Sequence, residues 1–250
     1  MDGPVSLQHA LNQVCRTAGD LVFPPVCVHC GGVVEVGPLR HLCEKCAALV
    51  VFVRPPCCKT CGHPFFGDAH GERFCTHCLE LDPAFNEGRT CVLLTGPGRS
   101  LVHALKYHRA LHVLEDMAVL IRTTPGMSDY VRGAVLVPVP LHPRKERERE
   151  YNQSRLIAQL FAAAGGPATR VAEPLRRVVD TPTQTAFDRR TRQANLKNAF
   201  ALRKGAAISP RERYVLIDDV FTTGSTLNAC ARVLRRAGGM NLDVVTFGHG

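Results

Sequence analysis

Apolar and polar positions along the chain separate into a few periodic segments. From Ser6 to Val22, Leu7, Leu11, Val14, Ala18 and Leu21 recur at helical spacing behind a serine suited to an N-cap. This predicts a short amphipathic helix, ended by Phe23-Pro24-Pro25 and packed on its own protein. Thr90 to Thr95 is a short apolar run, and Gly96-Pro97-Gly98 after it reads as a turn. Leu101, Leu105, Leu111, Leu114, Val119 and Ile121 predict one or two helices. Ala134 to Pro140 reads as a buried strand. A helix then runs from the charged stretch at Arg144 through Leu156, Ile157, Leu160 and Phe161 to Gly165-Gly166. The last segment is the richest. Val215, Leu216 and Ile217 form a run of the kind a fully buried parallel strand shows. Leu227, Ala231, Val233 and Leu234 then recur at helical spacing, closed by Gly238-Gly239.

Between that strand and that helix stand Asp218, Asp219 and a tight turn, Thr222-Thr223-Gly224-Ser225-Thr226. Backbone N–H groups of such a turn and the N-terminus of the helix behind it point at an anion, and the hydroxyls add donors. Gly224 lets the backbone approach a phosphate closely. The two acids suit sugar hydroxyls, or a magnesium ion shared with the ligand. As acids at a strand end they are expected to be exposed and to carry little packing. The bland reading is an ordinary strand, turn and helix, but paired acids ahead of a five-residue hydroxyl and glycine turn are richer than turn chemistry requires. A Walker P-loop and the dinucleotide-binding glycine pattern are both absent here.

Other cations sit where a parallel sheet would bind ligands. Leu141-His142-Pro143 makes a rigid bend after the Ala134–Pro140 strand, backed by Arg144, Lys145 and Arg147. Arginines there can clamp phosphate oxygens bidentately; a salt-bridged helix face is the alternative. Lys106 is a candidate phosphate ligand or, equally, part of a solvated helix end. Residues 176–200 are polar, basic and long for a connection, and read as a mobile flap able to close over a phosphorylated ligand.

Composition changes this picture at two points. The chain has 250 residues and a formal net charge of +9, a bias toward phosphates or nucleic acid. It also has 12 cysteines, most of them paired near the front. Cys27 and Cys30 with Cys43 and Cys46 make one quartet, and Cys58 and Cys61 with Cys75 and Cys78 make another. Each Cys-x-x-Cys turn sets two thiolates about 3.5–4 Å apart, the edge of a tetrahedral zinc site, and four thiolates close it as a structural centre. His29, His63, His70 and His77 are spare ligand candidates, read as surface histidines. Cys57 falls outside the spacing. Cys15, Cys91 and Cys230 read as buried small hydrophobes. Structural zinc in a reducing cytoplasm fits better than a disulfide framework. No run of about 18 apolar residues is present, so no membrane span is expected. Asp2 and the lack of a signal pattern argue against secretion.

The acid pair and turn resemble the phosphoribosyl-pyrophosphate (PRPP) motif of type I phosphoribosyltransferases. Over nearly its whole length the chain resembles the ComF family of competence-associated, phosphoribosyltransferase-like proteins. That resemblance rests on residues 21–30, 56–62, Val137–Pro143, Tyr151–Ser154, Asp180–Thr185, Arg192–Phe200 and Asp218–Thr226. One departure is Glu150, where the family has glycine before the aromatic-Asn-Gln. If that glycine serves a positive φ, the helix start is expected to differ here.

The resemblance implies an α/β fold: a type I phosphoribosyltransferase-like parallel sheet of five strands in residues 84–250. A helix and double zinc-ribbon module would occupy residues 1–83. It implies that Thr222, Thr223, Gly224, Ser225 and Thr226 hold the PRPP 5′-phosphate, and Asp218 and Asp219 the ribose hydroxyls. Leu141 and His142 lie in the pyrophosphate loop, with Arg144 and Lys145 beside the leaving group and magnesium as cofactor. Thr181-Pro182-Thr183-Gln184 resembles the flap of glutamine-dependent PRPP amidotransferases, but Asp2 follows Met1, so glutaminase chemistry is not expected. Two functions stay open: phosphoribosyl transfer to or from a base, and non-catalytic single-stranded DNA binding in DNA uptake.

Overall fold

The structure is a computed structural model and describes residues 24–65, Cys75, Cys78, 81–179 and 198–250. The helix expected over Ser6–Val22, the Thr181–Gln184 flap, Cys15, His70 and His77 lie outside the described residues. The strands are β1 (Gly88–Leu93), β2 (Val135–Pro138), β3 (Arg170–Val171), β4 (Leu175–Arg177), β5 (Phe200–Leu202), β6 (Arg213–Phe221) and β7 (Asn241–His249). The helices are α1 (Glu44–Ala47), α2 (Gly96–Tyr107), α3 (Leu114–Thr123), α4 (Met127–Val131), α5 (Pro143–Arg149), α6 (Gln153–Gly165) and α7 (Ser225–Arg236).

Five strands form one sheet in the order β1-β7-β6-β2-β3, and every neighbouring pair is parallel. This is the five-stranded parallel sheet expected above. Both faces are covered, which is why Val215, Leu216 and Ile217 of β6 read as an unbroken apolar run. Val215 and Ile217 point to one core with Leu105, Met117, Ile121 and Phe161. Tyr214 and Leu216 point to the other with Leu227, Cys230 and Leu234, the apolar stripe of α7. Both the acid pair and the bend after β2 therefore emerge at the carboxyl end of the sheet. Short β4 and β5 form a separate antiparallel ribbon at the root of the 178–199 connection, continued by Val178 N–H donating to Ala199 O at 2.8 Å.

The two cysteine quartets divide between the faces. Cys27 and Cys46 belong to the core under α2 and α3. Cys58, Cys61, Cys75 and Cys78 belong to the core under α7. Between them, residues 51–53 run antiparallel along β1: Leu93 N–H donates to Val51 O and Val53 N–H to Cys91 O, both at 2.9 Å. The front module thus covers an otherwise open sheet edge.

Two local readings are corrected. Gly96-Pro97-Gly98 opens α2 instead of turning the chain, since proline in a first helical turn costs no hydrogen bond. The helix expected from Arg144 to Gly165 is two helices. Glu150 takes φ 70° and ends α5, and the Asn152 side chain then accepts from Ser154 N–H at 3.0 Å to cap α6. Glu150 therefore takes a positive φ without being glycine. Arg109, itself at φ 52°, holds it through Glu150 Oε1 (2.8 Å) and the Glu148 carbonyl (2.9 Å). Glu150→Gly removes a left-handed strain of about 1 kcal/mol and an exposed ion pair worth about 0–1 kcal/mol. Thermal denaturation is expected to show an unchanged or slightly higher Tm. A loss beyond about 1 kcal/mol would mean that the Arg109 contact dominates.

Candidate functional site

Each quartet is built by a repeated local device. After Cys30 and after Cys61 the chain turns through a glycine at φ 75° (Gly31) or 74° (Gly62). Gly31 N–H then donates to Cys27 O at 2.9 Å and Gly62 N–H to Cys58 O at 2.8 Å. The four sulfurs of each quartet lie within 4.8 Å of one another. Cys30 and Cys43 Sγ stand 3.7 Å apart, as do Cys61 and Cys75 Sγ. A tetrahedron with Zn–S bonds of about 2.3 Å has edges of about 3.8 Å, so both sets fit zinc with no open position. Backbone donors support the second set: Cys75 N–H reaches Cys58 Sγ at 3.3 Å and His63 N–H reaches Cys61 Sγ at 3.4 Å. Cys57 stands outside the quartet. Cys91 and Cys230 are fully buried, and burial pushes the Cys91 thiol up to about 12.

At the carboxyl end of β6 the acid pair is less exposed than its sequence suggests. Asp219 is 4% exposed, and its Oδ2 lies 2.9 Å from Lys106 Nζ of α2. The expectation of an exposed acid with little packing is therefore corrected: the strand end is roofed by α2. Asp219→Asn would leave a half-buried ammonium without its counter-charge, at a cost of about 1–3 kcal/mol. Burial tends to lower the Lys106 pKa, and the Asp219 charge more than reverses this, leaving it raised. Asp218 is half-buried; its Oδ1 accepts from Ser154 Oγ at 2.8 Å and from Asp219 N–H at 2.9 Å. Burial, and then the Asp219 charge, push the Asp218 carboxyl up to about 7.

The turn follows directly. Thr222 is exposed, Thr223 Oγ1 and Ser225 Oγ lie 3.0 Å apart, and Gly224 at φ 70° caps α7. A Cβ on Gly224 would lie 2.5 Å from Phe221 Cζ and 2.9 Å from Leu81 Cδ2. The glycine is thus demanded by the packing beneath the turn and by its φ. Asn228 ties the first turns of α7 to the chain leaving the second quartet. Its Nδ2 donates to Leu81 O at 2.9 Å and Asp82 O at 3.1 Å, and its Oδ1 accepts from Ala84 N–H at 2.7 Å.

The bend after β2 lies beside the acids, because Val139 N–H donates to Ile217 O at 2.9 Å. His142 and Leu141 are half-buried, and His142 Nδ1 accepts from Arg144 N–H at 3.3 Å as the cap of α5. Arg144 turns to Glu148 at 3.3 Å, both largely exposed, which is the salt-bridged face weighed above; Lys145 is half-buried. The fold therefore collects Asp218, Asp219, residues 222–226 and the Leu141–His142 bend at one sheet end. It adds Ser154, the last residue of the Tyr151–Ser154 stretch that the resemblance rests on, and Asn228, for which the linear pattern carries no signal.

Among the described residues, no helix is long and apolar enough to cross a membrane. Residues 18–79 match the double zinc ribbon domain family. Competence protein F of Haemophilus influenzae is 28% identical over 87% of this chain and 94% of its own length. An adenine phosphoribosyltransferase structure from Thermoanaerobacter pseudethanolicus is similar at TM-score 0.36 and 13% identity, over 57% of this chain and 84% of that one. DNA utilization protein YhgH of Salmonella typhimurium is 34% identical over 81% of this chain and 88% of its own length. On that similarity the chain belongs to the family of competence protein F and DNA utilization protein YhgH, the ComF family.

Proposed function

We propose that the chain binds PRPP with magnesium and transfers phosphoribose to or from a nitrogen base. The observation that carries this is the Asp218–Asp219 pair at the head of the 222–226 turn, braced by Ser154 and Lys106. In this reading the ribose 2′- and 3′-hydroxyls donate to the carboxylates. The 5′-phosphate accepts from the turn's N–H groups and hydroxyls at the start of α7. Magnesium, when bound, neutralises pyrophosphate charge; of the residues here Asp218 suits it best, because Asp219 is engaged by Lys106. The C1–O bond breaks with its electron pair leaving on pyrophosphate. A base nitrogen forms the C1–N bond and gives up its proton to solvent. Lys145 and Arg144 would face the departing charge, and Arg144 would exchange Glu148 for it, a small cost at an exposed pair. Residues 1–83 and 84–250 act here as ribbon module and catalytic domain, in the reducing cytoplasm that keeps thiolates on zinc.

Calorimetric titration with PRPP, with and without magnesium, tests this, followed by pyrophosphate release against a panel of bases. Each lost charged hydrogen bond is worth about 1.5–3 kcal/mol, so Asp218→Asn/Asp219→Asn should weaken PRPP by about tenfold to a hundredfold or more. Circular dichroism checks that the variant is folded. Equal binding by the double variant, or none by the wild type, ends this reading.

A second reading is favoured by the names of the relatives and the +9 charge: single-stranded DNA binding in DNA uptake. Its log K should fall with log salt by about 0.7 per phosphate contact. A flat salt response ends it.

A further inference from the structure

The two cysteine quartets share a local device but not a setting. In the second, Cys58, Cys61, Cys75 and Cys78 are all buried. Its turn glycine is wedged against β1: a Cβ on Gly62 would lie 2.9 Å from Thr90 N and 3.2 Å from Arg89 Cα. In the first quartet Cys27 and Cys46 are buried, Cys43 is half-buried and Cys30 is exposed. Its turn glycine stands in open space: among the described residues, nothing lies within 4 Å of a Cβ built on Gly31. A Cβ on Gly32 would meet one described neighbour, Cys30 Sγ at 3.5 Å. Two successive residues without side chains therefore leave this sulfur uncovered, and Cys43 Sγ lies 3.7 Å from it.

The reactivity of a cysteine follows its thiolate character and its exposure. Zinc holds all its ligands as thiolates, so exposure is what separates the eight. We propose that the first quartet is an oxidation site at which Cys30 reacts with a hydroperoxide and Cys43 resolves it, while the second quartet stays loaded. The Cys30 thiolate attacks hydrogen peroxide; the O–O bond breaks, hydroxide leaves and Cys30 becomes a sulfenic acid. The Cys43 thiolate then attacks that sulfur, the S–O bond breaks and a second hydroxide leaves. Two sulfurs have given two electrons to one peroxide, and two protons from solvent turn the hydroxides into water. Zinc, left with Cys27 and Cys46 alone, dissociates. A dithiol reductant returns the two electrons and restores the site.

The change reaches α2. Cys27 and Cys46 share a core with Leu101 and Leu105 of that helix. His29, next to Cys30, places its Nδ1 2.9 Å from Ser100 Oγ. Helix α2 carries Lys106, the counter-charge of Asp219, so oxidation loosens the helix that roofs the acid pair. The proposal goes beyond PRPP binding and stands without it.

The full zinc-loaded chain is treated with hydrogen peroxide, and released metal is followed with a zinc-binding dye against an untreated control. One zinc ion of the two should leave and the other should stay. Trypsin cuts after Arg40 and Lys45, which puts Cys43 on a peptide without Cys30 or Cys46. Mass spectrometry without reduction should find that peptide joined to the one holding Cys30. Gly32 lies outside the left-handed region, so Gly32→Val adds a side chain over Cys30 Sγ without backbone strain and without removing a ligand. It should keep both zinc ions and slow the release by about threefold or more, because access to the thiolate falls. Hydrogen exchange in 96–107 should rise on oxidation and recover with dithiothreitol and zinc. Retention of both ions, release of both at one rate, oxidation confined to Cys57, or an unchanged rate in Gly32→Val would overturn the oxidation site. Unchanged exchange in 96–107 would overturn its coupling to α2.

Discussion

Cys75→Ser is expected to cost the protein one zinc ion and, with it, the order of the 222–226 turn. Structural zinc supplies about 10–16 kcal/mol of folding free energy in small modules. That is comparable to the ~5–15 kcal/mol total stability of a typical domain. The four cysteines of the second quartet are buried in the core under α7, together with Leu81 and Phe85. The chain leaving them is stapled to α7 along its length. Asn228 holds Leu81, Asp82 and Ala84; Arg232 pairs with Asp82 at 3.0 Å; Arg235 donates to Ala84 O at 2.9 Å. Leu81 also packs under Gly224 itself. Loss of this zinc therefore loosens α7 from its N-terminus onward. Cys43→Ser, in the quartet on the other face, should instead loosen the segment beside α2 and α3. Metal analysis should find two zinc ions per wild-type chain and one fewer in each variant. Hydrogen exchange should show lost protection in 225–236 for Cys75→Ser and in 96–123 for Cys43→Ser. Two retained zinc ions, or identical exchange patterns in the two variants, would refute the coupling.

How much of this was legible follows from the range of the interactions. The quartets and the strand-acid-turn-helix order are local: spacing and period carry them, and both were readable. So was the buried β2, since Val135 to Pro138 is apolar throughout. Lys106 was readable only as a cation with two fates, because its partner Asp219 is brought to it by the packing of α2 over β6. Ser154 lies in a stretch that the resemblance marks, but only the fold shows its partner Asp218; Asn228 is an ordinary polar residue until the fold sets it against Leu81. The β4–β5 ribbon has three residues a side, too few to show a period. At Glu150 only the family glycine raised a positive φ, and Arg109, which holds the glutamate, comes from a distant segment.

The second large effect is on pH. Asp218, pushed up to about 7 by burial and by Asp219, is largely neutral at pH 5 and largely ionised at pH 8. A neutral carboxyl is a weaker acceptor for ribose hydroxyls and a poor ligand for magnesium. Magnesium-dependent PRPP affinity should therefore rise by up to about tenfold per pH unit between 5 and 7 and level off above, roughly a hundredfold in all. Stability runs the other way. The folded pKa lies above the unfolded value of about 3.9, so the unfolded chain releases this proton first. This contribution to stability is present at pH 4 and below, is lost as pH rises toward 7, and is constant beyond. The second ionisation of a phosphate monoester, near pH 6, also titrates in this window, but it belongs to the ligand and is common to every variant. Asp218→Asn removes only the protein's part. The variant should bind PRPP weakly at all pH values, with the residual slope of the ligand alone, and its Tm should vary less than wild type between pH 4 and 8. Calorimetric titration at half-unit intervals on both proteins gives the comparison directly. Parallel pH profiles for wild type and Asp218→Asn would remove Asp218 from the binding event and leave the turn to hold the ligand through its phosphate alone.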